Sequence, residues 1–332
     1  HKDNIYPIFQ LVLPKAKNNE THEELIKRFE EKAQKYNEDI EKKWNKISYI
    51  DVSLLPTIDL RIKILNYVFT DYSKNNYKFI PVIHLRDEED LIAEVLEINK
   101  KYNSGICLKI TSFDFVDEVE LHKKINKFVD ENKISRKEID ILIDIKELGA
   151  DQSQYSKYFY LSQKIPFINE YRSFIFSAGS FPKDLSECKN YETLIPRHEW
   201  NSWHSLIKEN NIIRKPSFSD YTTQHPIYNP DAQFYHPTTS IKYTLDQHWL
   251  VLKGKQKQFE LYLASASILK DDKRFSKRYF CEGDKYIYEK GEYFPEFMKD
   301  KTKRGTGNTS NWIEATINHH LSFVSQQISN LL

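Results

Sequence analysis

The sequence predicts an α/β fold, a (β/α)8 TIM-barrel-like single domain spanning residues 1–332 with an irregular insertion before the C-terminal helix. Three observations carry this expectation. Short β-branched runs alternate with long amphipathic helical patterns, the signature of parallel βαβ units. The strand-like runs number roughly eight, which is what closes a barrel. The first βα turn reads PKAKNNET, without the glycines that an open, doubly wound nucleotide fold places there.

The strand-like runs are 5–13, 47–53, 79–85, 105–111, 139–145, 172–179, 216–223 and 240–252. Thr21-His22-Glu23-Glu24 is a capping-box pattern opening the helix EELIKRFEEKAQKYNEDIEKKW. In DEEDLIAEVLEINKK, Leu91, Val95 and Ile98 share a face, with acids first and lysines last as the helix dipole favours. Val119, Ile125, Phe128 and Val129 repeat that pattern over 117–132. Further helices are expected over 154–163, 198–210 and 312–332. The stretch 254–311, rich in Tyr, Lys and Gly, reads as a lid or insertion.

Composition narrows the function classes. With 49 Lys plus Arg against 48 Asp plus Glu, the 332-residue chain carries a formal charge of +1, so bulk charge does not hold it on nucleic acid. Hydrophobic residues at 39% are enough for a sizeable core. Three scattered cysteines with no CxxC give neither a disulfide framework nor a zinc knuckle, and Cys107 in its apolar run reads as a buried small hydrophobe. No run approaches the ~20 apolar residues of a membrane span, and the charged start is unlike a signal peptide. The expectation is a cytoplasmic protein.

In a barrel, side chains at the strand C-terminal ends line the active-site face. In order these are Asp51, His84, Lys109, Asp144, Ser177 with Ser180, Asp220, and Lys242 with Tyr243. Charges inside apolar runs are the informative ones, because an unpaired buried charge is costly. Lys109 in CLKIT and Asp144 in ILIDI can pair as a structural salt bridge. Alternatively, the lysine grips a phosphate or carboxylate beside an acid that serves as a base or Mg2+ ligand. IPRHEWNSWH adds Arg197 and Glu199 at a helix start, although His198-Glu199 lacks the second histidine of a zincin helix. Trp200 and Trp203 there read as packing residues. SDYTTQHP adds Tyr221, Gln224 and His225 beside Asp220 in a polar loop. The basic, glycine-containing loop KDKTKRGTGNTSNW offers Lys303 and Arg304 ahead of a helix. Adjacent His319 and His320 point about 100° apart on a helix and so do not share a metal easily, and one of them is expected to face the core.

The order of AGSFP (178–182), RHEW (197–200), SDYTTQHP (219–226), IKYTLDQHWLVLKG (241–254), GDKYI (283–287) and GNTSNW…NHHLSFV resembles the beta family proteins of bacteria and prophages. The resemblance covers most of the chain and is strongest after residue 172. It implies a role in phage defence, because such proteins tend to lie near restriction and defence genes. It supplies no catalytic residues. Lys109 stands where the family usually has arginine, which keeps the charge but loses a bidentate grip. RHEW varies a commoner RYEW, and SDYTTQHP a commoner GDYxxQHP.

Two functions are therefore expected, ahead of a third in which the chain is a phage-encoded assembly protein that forms a large homo-oligomer. The first is an anti-phage protein that binds or processes a nucleotide or nucleic acid, with metal-assisted hydrolase or nuclease-like chemistry. Lys109, Arg197 and Lys242 would hold the anion, Asp51, Asp144, Glu199 and Asp220 would act as base or bind Mg2+, and His225 would be the acid. The second is a non-catalytic sensor or adaptor that recognises a phage component and works with a partner effector from the same operon. A Lys109–Asp144 bridge beside packed tryptophans is the arrangement that this second function expects.

Overall fold

The structure is a computed structural model and describes residues 4–36, 40, 42, 44, 46–70, 79–230, 238–302 and 304–331. Its first part runs β1 (Ile8–Gln10), α1 (His22–Ala33), β2 (Ser48–Asp51), α2 (Ile58–Phe69), β3 (Phe79–His84), α3 (Glu89–Tyr102) and β4 (Ile106–Thr111). It continues with α4 (Glu118–Glu131), β5 (Ile139–Glu147), α5 (Ser153–Gln163), β6 (Ser173–Gly179), β7 (Glu192–Pro196), α6 (His198–Leu206) and β8 (Ser217–Ser219). Seven strands form one parallel sheet in the order β1-β2-β3-β4-β5-β6-β8. This is the winding of a barrel, one strand beside the next along the chain.

The barrel does not close. No pairing joins β8 to β1 among the described residues, so the closed eight-stranded barrel is corrected to an open, seven-stranded half-barrel. The reason lies in the run 240–252. It breaks at Leu245, whose amide bonds the His248 carbonyl at 2.8 Å, into a hairpin of β9 (Thr238–Thr244) and β10 (His248–Gln256). The hairpin pairs antiparallel with β7 in a separate three-stranded sheet, β7-β10-β9. The expected eighth strand is thus spent elsewhere.

Period-two alternation divides the half-barrel strands between two faces. Ile50, Ile83, Leu108, Ile110, Ile141, Ile143, Phe174 and Phe176 pack under the helices. Tyr49, Ile80, Val82, Cys107, Leu142 and Ile175 form a separate inner core, and Asp51, His84, Lys109 and Asp144 continue that inner row toward the C-terminal ends. On the helical side, α2 buries Ile64, Leu65 and Val68 completely, each such side chain stabilising by about 1.5–3 kcal/mol. The Thr21 capping box forms as expected: the Glu24 amide donates to Thr21 Oγ1 at 3.2 Å and the Thr21 amide to Glu24 Oε2 at 2.9 Å.

The stretch 254–311 is not irregular. It holds α7 (Glu260–Lys270) and α8 (Glu282–Lys299), followed by α9 (Thr309–Ser329). These pack on the antiparallel sheet through Ile241, Tyr243, Leu250, Leu252, Tyr262, Ile287 and Trp312, with the Tyr262 and Trp312 rings stacked at 4.9 Å. The glycine of GDKYI is a packing device. A Cβ on Gly283 would stand 2.1 Å from the Ala315 carbonyl oxygen, so only glycine lets α8 and α9 approach this closely. Among the described residues, no helix is long and apolar enough to cross a membrane.

Candidate functional site

Asp51 on β2, Lys109 on β4 and Asp144 on β5 meet on the inner face of the half-barrel. Lys109 reaches across β3, its Nζ 3.0 Å from Asp51 Oδ2 and 3.3 Å from Asp144 Oδ2. All three are buried. Burial works against the Asp51 carboxylate, but Lys109 and the Ser53 amide outweigh it and hold Asp51 below its ordinary range. Burial likewise opposes the Lys109 ammonium, and the two carboxylates more than offset it, so its pKa is raised. Gln10 adds a hydrogen bond to Asp51 at 3.2 Å.

Tyr221 of the SDYTTQHP loop and Lys146, which carries no sequence signal, complete this cluster. Tyr221 donates its hydroxyl to both Asp144 oxygens, at 2.7 and 2.8 Å. Lys146 lies 3.0 Å from Asp144 Oδ2 and 2.9 Å from the Tyr221 oxygen. Lys146 has a left-handed backbone, φ 60°, at the point where the β5–β6 register shifts. This bulge returns its amide to Asp144 Oδ1 at 3.1 Å and turns the ammonium to the strand end, where its side chain is about a third exposed. Bulges commonly re-aim side chains beside functional sites. Tyr221 belongs to the polar loop SDYTTQHP that the sequence marks. The bulge at Lys146 leaves no sequence signal, because lysine does not advertise a positive φ.

A second cluster gathers the RHEW and SDYTTQHP residues. Glu199 is buried, with Ser180 donating to Oε2. Burial and the nearby Asp220 charge push Glu199 up to about 7, against the opposing effects of Arg197 and Ser180. Asp220 accepts from His320 Nε2 at 2.9 and 3.2 Å. Burial opposes the Asp220 carboxylate, yet His320 and Arg197 hold it below its ordinary value. Arg197 is wholly buried; its Nη1 donates to the Leu245 and Asp246 carbonyls and to Gln327. Its Nε and Nη2, and Glu199 Oε1, have no hydrogen-bond partner among the described residues. Trp200 and Trp203 pack on Phe218, as expected of them.

The remaining candidates separate from these clusters. His84 binds Asp114 at 2.9 Å and accepts from the Arg86 amide. His225 Nδ1 faces the Phe181 carbonyl at 3.0 Å and Nε2 lies 4.0 Å from Glu147, so among the described residues its ring pairs with groups other than Asp51 and Asp144. Gln224 uses its backbone amide to close the turn on Tyr221. Lys242 packs over the Phe181 ring and donates to the Thr223 carbonyl; burial pushes it down to about 8. Tyr243, its neighbour on β9, points the other way, into the second core, where its hydroxyl meets Asp284. Arg304 is exposed, its carbonyl held by Tyr293 of α8, while Lys303 lies outside the described residues. Both histidines of NHH are buried: His320 on Asp220, and His319 on Asp284 and the Thr244 carbonyl. Helix α9 is covered on two stripes because the half-barrel and the hairpin flank it.

Fold and site together define an open α/β half-barrel protein with a layer of buried ionisable side chains at its strand C-terminal ends. The chain belongs to the Beta protein family, whose family model matches residues 1–326. No curated protein and no solved structure matches it.

Proposed function

We propose that this chain is a bacterial or prophage defence protein whose strand-end layer binds a phosphate-containing ligand, a nucleotide or nucleic acid. What supports this most is the concentration of buried charge at the end of a parallel sheet where such folds take their ligands. Charges this deep cost several kcal/mol each unless paired, and groups poised near neutrality, such as Glu199, suit proton transfer. Within this reading Lys109 positions the two aspartates, and Lys146 is the cation that meets an anion at the mouth. An ammonium already stands between Asp51 and Asp144, which disfavours them as Mg2+ ligands and with them the metal-assisted chemistry. The test is the melting temperature of wild type and Lys146→Met against inorganic pyrophosphate, ATP and short oligonucleotides. Ligand at a hundred times its Kd should stabilise wild type by about 2.7 kcal/mol and leave Lys146→Met unmoved. No shift in wild type with any of them would contradict ligand binding.

A sensor or adaptor working with a partner effector is the second reading, and two observations favour it. The Lys109 bridge and the packed tryptophans match its expectation. Phe113, Val116 and Val119, just beyond β4, are also 72%, 86% and 64% exposed, and apolar groups clustered on a surface mark contact sites. On this reading a Phe113→Ser/Val116→Ser variant keeps its melting temperature and loses phage restriction. Unchanged restriction would exclude the patch.

A further inference from the structure

Away from the strand-end layer, three donors from two helices converge on one point: Cys281 at the start of α8, Asp284 in its first turn, and His319 of α9. Their ligand atoms all lie within 4.8 Å of one another. Asp284 Oδ2 is 3.0 Å from Cys281 Sγ and 2.9 Å from His319 Nδ1. Asp284 and His319 have no solvent exposure. We propose that Cys281, Asp284 and His319 form a binding site for a divalent transition metal of the zinc class.

The hydrogen-bond inventory points there independently of residue type. His319 Nε2 faces the Thr244 carbonyl at 2.9 Å, which can only accept, so Nε2 carries the hydrogen. Nδ1 then faces a carboxylate oxygen, and two acceptors face each other unless something positive lies between them. Either a second proton or a metal ion meets that need. Spending one ring nitrogen on a backbone carbonyl while the other faces a carboxylate and a sulfur is the outer-shell pattern of metal-ligating histidines. Tyr243 supplies the next layer. Its hydroxyl donates to Asp284 Oδ1 at 2.7 Å and accepts from the Ser276 amide at 2.9 Å, and its ring stacks on His319 at 3.8 Å. Phe280 and Phe323 close the apolar side.

Geometry and charge both suit the exchange. Zinc sits about 2.0–2.3 Å from N, O and S donors, so tetrahedral donors stand about 3.5 Å apart, and Asp284 Oδ2 needs to draw back only about half an ångström from Cys281 Sγ and from His319 Nδ1, with all three donor atoms already within 4.8 Å. Without metal, a thiol, a carboxylate and an imidazolium sum to zero. A divalent ion displaces the thiol proton and the Nδ1 proton, leaving thiolate, carboxylate and neutral imidazole around a 2+ ion, again zero. Two protons leave per ion, and the buried site keeps its net charge. A mixed Cys/His/Asp set favours zinc over the hard cations Mg2+ and Ca2+. Gly283 and its amide bond to Asn318 at 2.8 Å hold the two helices at the approach the site needs.

The test is a Co2+ titration of the metal-stripped full chain, cobalt standing in for zinc. The expected result is a thiolate-to-cobalt charge-transfer band saturating at one equivalent, with two protons released per ion. The band should vanish in Cys281→Ser. In Tyr243→Phe it should persist with affinity weakened about 10–100-fold. A wild type with no band, or a band that survives Cys281→Ser, overturns the site. Because wild type alone can give the negative result, the test stands even if a variant fails to fold.

Discussion

The half-barrel and the antiparallel unit both bury carboxylates, and they stabilise them in opposite ways. In the half-barrel, two aspartates on strands separated in the sheet share one lysine, so the cluster is a chain of alternating charges held across β2, β4 and β5. In the antiparallel unit a single aspartate, Asp284, collects donors from Tyr243, Cys281 and His319. The first arrangement depends on full charges, so losing the shared lysine strands two carboxylates. The second depends on close helix packing and on directional donors. Which residue breaks each region should differ accordingly.

The largest effect is expected from Lys109→Met. It leaves Asp51 without its cation and Asp144 with Lys146 alone, and breaking a buried pair from one side costs about 3–5 kcal/mol. Urea unfolding measures this; a loss below 1 kcal/mol would mean that the aspartates are not held by charge. Next is Glu199, whose carboxyl binds its proton more tightly folded than unfolded. Its stabilising contribution is present below the unfolded value of 4.5 and is lost as pH rises through about 7. At 1.36 kcal/mol per unit, Glu199→Gln should remove on the order of 3 kcal/mol of pH-dependent stability between pH 5 and 8, so the two stability–pH curves should diverge over that window. Parallel curves would place Glu199 in contact with solvent. Asp51 and Asp220, held below their ordinary values, contribute stability that is lost only as pH falls through the acid range.

Gly283→Ala probes the other region. Its methyl group must push α8 from α9, at about 1–3 kcal/mol, and should lower the melting temperature without touching the strand-end cluster. The smallest effect is Thr21→Ala, the loss of one exposed cap at about 1 kcal/mol, which calibrates the others in a helix remote from both clusters.

The two regions also differ in how far their sequences disclose them. The parallel strands and their helices are legible because residues such as Leu91, Val95 and Ile98 repeat at helical spacing and the strands are apolar on both faces. Asp51, Lys109 and Asp144 stand out as charges within those strands, and the structure brings all three together. The antiparallel unit is misread because IKYTLDQHWLVLKG is strand-like on both sides of a weak break, Asp246-Gln247. Only the reversal at Leu245–His248 makes it a hairpin, and no Gly or Pro marks that turn. With the hairpin unseen, the partner of β7 and the separate core of Tyr262, Ile287 and Trp312 cannot be inferred. Lys146 escapes for another reason: its position depends on a register shift between two strands, which is a property of the pair and not of either sequence.

The claim that the strand-end layer serves function rather than folding is tested most directly with Tyr221→Phe. This change removes one hydroxyl from Asp144 while leaving Lys109 and Lys146 in place. Urea unfolding and phage plating efficiency should be measured side by side on cells carrying wild type or the variant. The expected result is a protein within about 1.5 kcal/mol of wild-type stability that no longer restricts phage. Full restriction by the stable variant would contradict the claim and leave the layer a structural one.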